Sequence, residues 1–83
     1  MIYAVKDLAV QAYGDPFSVR AKGEAIRSFM DEANRTDGNS AIAKHPEDYE
    51  LYHIANYDEN LGEMIAVKSE LIARAKDLIT QEK

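Results

Sequence analysis

Between Ala21 and Arg35 the apolar residues Ile26, Phe29, Met30 and Ala33 fall at i, i+3, i+4 and i+7. That spacing is one face of an α-helix, with Arg27, Asp31 and Glu32 turned away from it. Glu24, Arg27 and Asp31 are spaced for a ladder of surface ion pairs along this helix, each worth roughly 0.2–0.5 kcal/mol in isolated helices. Asn34 and the run Thr36-Asp37-Gly38-Asn39-Ser40 stop the helix and form a loop.

The pattern differs on either side. Residues 2 to 6 are partly β-branched or aromatic and read as a strand, while 8 to 13 suit a helix or a loop. Gly14-Asp15-Pro16 signals a turn into Phe17-Ser18-Val19, a second strand or extended connector. His45-Pro46-Glu47-Asp48 is a turn leading into Tyr49 to Tyr57, whose rings and β-branched residues favour a strand. Asp58-Glu59-Asn60-Leu61-Gly62 supplies a hairpin loop, and Glu63 to Val67 the returning strand. Leu71, Ile72, Ala75, Leu78 and Ile79 again show helical spacing, with Ser69 placed as N-cap and Glu70 in the first turn, which predicts a second amphipathic helix. The expected fold is α+β: about four short strands in an antiparallel or mixed sheet with two amphipathic helices on one face.

At 83 residues the chain has room for one domain, residues 1–83, and a domain of this size buries only about 60–65% of the surface its unfolded chain exposes. Association with a second copy would enlarge that core. Apolar residues make up 46% and charged residues 30%, which excludes a disordered chain. There is no cysteine, so neither a disulfide framework nor a thiolate zinc site can form. Met1 to Lys6 lacks the basic region and long apolar run of a signal peptide, and no later stretch approaches membrane-spanning length. The expectation is a soluble cytoplasmic protein without a membrane partner.

The formal net charge of −5 opposes strong sequence-independent DNA affinity, because such affinity comes from neutralising phosphates. One segment causes the imbalance: Glu47, Asp48, Glu50, Asp58, Glu59 and Glu63 are interrupted by no Lys or Arg. Elsewhere the charges are close to balanced. Arg20, Lys22, Arg27 and Arg35 gather around the first helix near Tyr13 and Phe17, and cations interleaved with rings can hold a single strand, the cations tracking phosphates while the rings stack on bases. The competing reading puts Phe17 in the core and spends Arg27 on Glu24 and Asp31.

In a regular strand Tyr49, Leu51, His53, Ala55 and Tyr57 share one face and Tyr52 and Ile54 the other. With acids close by, a ring-bearing face is expected to meet protein rather than phosphate. The candidate interface is Tyr49, Tyr52, His53, Ile54 and Tyr57, in a homodimer or higher homo-oligomer.

Enzymatic signals are missing. His45 and His53 lack the helical i, i+4 spacing of paired zinc ligands, so no metal is expected. Glu47, Asp48 and Glu50 read as a solvated acidic turn rather than a general acid–base pair, and Asp58-Glu59-Asn60 lacks the rest of a calcium loop. No phosphate-binding Gly-rich loop, nucleophile elbow or cysteine nucleophile is present. The sequence therefore predicts no catalytic residue, no enzyme and no cofactor.

Three groups of residues, taken in order, carry a resemblance: Ala12-Tyr13-Gly14 with Pro16-Phe17; Ala25-Ile26-Arg27-Ser28-Phe29 with Asp31-Glu32 and Asn34-Arg35; and His45-Pro46-Glu47-Asp48-Tyr49 with Leu51-Tyr52. Tyr57-Asp58-Glu59 and Leu71-Ile72-Ala73 continue it. The chain resembles the small nonstructural protein of gokushovirus-type microviruses, phages with circular single-stranded DNA genomes. The resemblance implies a non-virion protein of the infected bacterial cytoplasm, accessory to viral genome replication or single-stranded DNA production. Its implied partners are single-stranded DNA, the phage replication initiator or a host replication factor, and it brings no catalytic residue with it. Asp15 stands where the family often has a basic residue and Ser18 where it usually has a bulkier apolar one. Both departures subtract from DNA binding at the turn between Gly14 and Val19.

Overall fold

The computed structural model describes residues 1–80. Its elements are β1 (Ile2–Asp7), β2 (Ala12–Tyr13), β3 (Phe17–Ser18), α1 (Lys22–Ala33), α2 (Ala41–Lys44), β4 (Tyr49–Asp58) and β5 (Glu63–Arg74). Pro46–Asp48 and Ala75–Asp77 add single 3₁₀ turns. All pairings are antiparallel: β1 lies against β4 on one side and against β2 and β3 on the other, and β4 pairs with β5. The α+β class follows, with a helical layer on one face of a sheet.

Tyr3 and Leu51 are fully buried at the middle of that layer, clustered with Val19, Ala25, Phe29, Ala33 and Ala75. The helix α1 thus presents most of its expected stripe, Phe29 and Ala33 in the cluster and Ile26 packed against it, with Ala25 added and Met30 left outside. The ladder expected among Glu24, Arg27 and Asp31 does not form among the described residues: the α1 carboxylate that finds a side-chain cation is Glu32, which meets Arg35. Asn34 ends α1. Its Nδ2 donates to the carbonyls of Met30 (2.8 Å) and Leu78 (2.9 Å), and its Oδ1 accepts from the Thr80 backbone N–H (2.8 Å). One side chain thus closes the helix and ties the C-terminal segment to it. The loop that follows is anchored by buried Ser40, whose Oγ donates to the Glu32 carbonyl and accepts from the Ala43 N–H.

The expected second helix is not formed. Residues 68 to 74 continue β5, so Ser69 lies inside a strand and Leu71 and Ala73 stand in register with Tyr52 and Leu51. Helix formation there would leave one edge of β4 between Glu50 and His53 without partners, and unpaired backbone groups in a folded domain are costly. Tertiary context overrides the local period. The apolar residues keep much of their destination by another route: Ala75 enters the core cluster, and Ile72, Leu78 and Ile79 pack against it.

The hairpin is irregular. Against β1, Ile54 is an extra residue, because Tyr3 faces His53 while Ile2 faces Ala55. Against β5, Ile54 stands opposite the segment Val67 to Ser69, and Ile72 is a further extra residue between the partners of Leu51 and Tyr52. The bulge reverses the alternation. Tyr49, Leu51 and His53 point towards α1, whereas Ala55 and Tyr57 join Tyr52 on the opposite face, contrary to the regular-strand expectation. The loop itself forms as expected: Asp58 Oδ1 accepts from the Asn60 and Leu61 N–H groups, and Gly62 at φ 66° closes the turn with its N–H on the Asp58 carbonyl at 2.7 Å.

Two substitutions test these joints. Replacing Asn34 by alanine removes side-chain bonds at both ends of the tie and should cost about 1–3 kcal/mol, read as a lower urea midpoint at unchanged slope. Gly62→Ala forces an alanine into the left-handed region and should cost roughly 1–2 kcal/mol in the same measurement.

Candidate functional site

Two surfaces gather the residues with binding chemistry. The first is a groove of about 420 Å³ lined by Met1, Ser18, Val19, Arg20, Tyr57 and Glu59. The Val19 N–H donates to the Met1 carbonyl at 3.0 Å, which extends the β3 pairing and fixes Arg20 just before α1. From the other side the bulged hairpin brings in Tyr57, which is 49% exposed. An arginine and an open ring therefore share one groove, with the Glu59 carboxylate beside them. Lys22 and Arg27 are exposed on α1, and neither they nor Arg20 has an ion-pair partner among the described residues.

The remaining candidates from the sequence lie elsewhere. Arg35 is held between Glu32, at 3.2 Å, and Asp37. Its hydrogen bond, helped by the Asn39 N–H, holds the Asp37 carboxyl below its ordinary value. Phe17 is half-buried with its ring stacked 6.3 Å from that of Tyr3. Tyr13 sits at the other end of β1, opposite Lys6, on the sheet face away from α1.

That outward face is the second surface. Tyr13 meets Tyr52 edge-on with ring centroids 5.6 Å apart, and Lys6 Nζ lies 5.6 Å from the Tyr13 centroid. The Tyr52 hydroxyl donates to Glu50 at 3.0 Å, and Arg74 Nε donates to the other oxygen of the same carboxylate at 3.2 Å. Burial, reinforced by Glu50, raises the Tyr52 phenol above its ordinary pKa. Tyr49 and His53 face the helical side: the Tyr49 hydroxyl donates to Asp7 at 3.3 Å, and the His53 ring lies 5.1 Å from that of Tyr3, with Nε2 at 2.9 Å from Asn56 Oδ1. Ile54 is the half-buried bulge residue.

Sequence alone does not mark Lys6, Glu50, Leu71 and Arg74 as parts of one surface. Local pattern puts Glu50 in an acidic turn and Leu71 in a helix, so the row that strand pairing creates is hidden from it. His45, Glu47 and Asp48 bring their ligand atoms within 4.8 Å of one another on the turn before β4, with His45 and Glu47 exposed. Among the described residues, no helix is long and apolar enough to cross a membrane.

The molecule is thus a small α+β domain with a helical layer on one sheet face and a cation-and-ring groove at the hairpin side. The chain belongs to the Phage ORF5 protein family, whose model matches residues 1–78, and is a phage protein. No curated protein and no solved structure matches it.

Tyr3, Tyr49 and Tyr52 should each ionise above 10.0 in a spectrophotometric titration, with burial the largest cause in every case. The folded state favours the neutral phenols. Their contribution to stability is therefore complete below the unfolded value of 10.0 and is lost as pH rises through the raised values. Thermal melts from pH 9 upward should show the decline, and Tyr52→Phe should make it shallower.

Proposed function

We propose that this phage protein is a nonstructural accessory to viral genome replication or single-stranded DNA production, acting by binding single-stranded DNA rather than by catalysis. The observation that carries the reading is the groove in which Arg20 meets the exposed Tyr57; Lys22 and Arg27 add exposed cations on α1. Phosphates would follow the three cations while a base stacks on Tyr57, a combination that tolerates any sequence. Residues 45 to 63 carry six acids and no Lys or Arg, whereas residues 1 to 44 balance six acids with six cations, so the net charge of −5 does not arise around α1. Glu59 at the groove limits affinity. The likeness of the chain to gokushovirus nonstructural proteins supports the assignment to replication of a single-stranded DNA genome, in the cytoplasm of the infected bacterium and outside the virion.

Fluorescence anisotropy with a labelled oligonucleotide tests this. Binding should weaken steeply with salt, and replacing Arg20, Lys22 and Arg27 together by alanine should flatten the slope of log K against log salt by about 2, at roughly −0.7 per phosphate contact for single strands. Tyr57→Ala should remove about 1–3 kcal/mol of affinity with the slope kept. Absence of binding at low salt, or affinity unchanged in the triple variant, removes the reading.

A further inference from the structure

The turn that leads into β4 carries three metal-ligating side chains that neither the Arg20 groove nor the outward sheet face uses. His45, Glu47 and Asp48 each bring one ligand atom to within 4.8 Å of the other two. None of these side chains has a hydrogen-bond or ion-pair partner among the described residues, and the neighbouring cation, Lys44, pairs with none of them. The backbone beneath them is held from three directions. Pro46 is buried at the start of the 3₁₀ turn. The His45 N–H donates to the Ala41 carbonyl at 2.9 Å, and the Leu8 N–H, just past β1, donates to the Asp48 carbonyl at 2.8 Å. The Asp48 N–H closes the turn on the His45 carbonyl at 2.9 Å.

We propose that this turn binds one divalent transition ion of the Zn²⁺ class through an imidazole nitrogen of His45 and one carboxylate oxygen each from Glu47 and Asp48, with water completing the shell. The donor set is mixed. Two carboxylates neutralise a dication, while the imidazole favours Zn²⁺ or Ni²⁺ over Mg²⁺ and Ca²⁺, hard ions that take oxygen ligands. That nitrogen separates the cluster from an ordinary patch of surface acids. The reach is also suitable: ligands about 2.1 Å from a tetrahedral ion stand roughly 3.4 Å apart, so tips now within 4.8 Å of one another close on it by about an ångström of side-chain movement. His45 and Glu47 are exposed and have room for that movement, and the clamped backbone need not follow. Because the turn is already ordered, little conformational entropy is lost on binding. His45 and His53 cannot form a helical ligand pair, but one histidine and two carboxylates on a single turn can converge. The site stands independently of DNA binding through Arg20, Lys22 and Arg27.

Isothermal titration of the full chain, free of any histidine tag, with Zn²⁺ alone is the test, joined to magnetic resonance spectra of the two histidine rings. The expected result is one ion per chain, with the His45 ring signals shifted and those of His53, whose Nε2 lies 2.9 Å from Asn56 Oδ1, unmoved. His45→Ala and Glu47→Gln should each weaken binding by at least about tenfold, the loss that follows removal of groups that merely support a ligand. Both residues are exposed, so circular dichroism should stay unchanged. Excess Mg²⁺ should not displace the zinc. The triple alanine variant at Arg20, Lys22 and Arg27 should bind Zn²⁺ like the parent, which separates this result from the DNA measurement. The ring spectra of the parent chain decide the matter even where a variant fails to fold. No heat and no shift of the His45 ring in a large excess of Zn²⁺ overturns the proposal. So does zinc affinity unchanged in His45→Ala, or a shift of the His53 ring in place of His45.

Discussion

The strand β4 runs through the middle of the sheet, and everything else follows from the need to pair it along both edges. On one edge β1 supplies partners from Tyr49 to Ala55; on the other, β5 stays extended as far as Arg74 to do the same. Because β5 takes those residues, a single long helix is left to cover the sheet. One helix covers one face. The core around Tyr3 and Leu51 is therefore small and one-sided, in line with the limited burial available to a chain of this length.

How far the fold could be read from the sequence depended on whether the signal was local. The α1 stripe, the turn before β4 and the Asp58 to Gly62 loop all rest on residues close in sequence, and each formed where the pattern placed it. The C-terminal segment departs from its pattern because Leu71, Ile72, Ala75, Leu78 and Ile79 satisfy a helical period while the strand partners of Leu71 and Ala73, Tyr52 and Leu51, are distant in sequence. Periodicity reports which residues want burial. It does not report which backbone takes them there.

The candidate site shows the same division. Arg20, Lys22 and Arg27 could be picked out by charge and proximity, and the expectation that Phe17 serves the core agrees with its stacking on Tyr3. The company of Tyr57 in the Arg20 groove was illegible, since it depends on one extra residue, Ile54, which turns the far half of β4 over. Tyr13 moved the other way: adjacent to Phe17 in sequence, it reaches the opposite face because β2 and β3 meet different ends of β1.

The unequal strands of the hairpin have a final consequence. Opposite Ile54, β5 carries Val67, Lys68 and Ser69, and Ile72 adds a second irregularity. The free edge of β5 is consequently no even ladder of donors and acceptors. A foreign strand laid along it would lose its hydrogen-bond rhythm near the midpoint, where Lys68 also sits. A twelve-residue border that would otherwise invite end-on-end growth into fibres is thereby blunted, and a small, abundantly apolar chain is kept from polymerising through its rim.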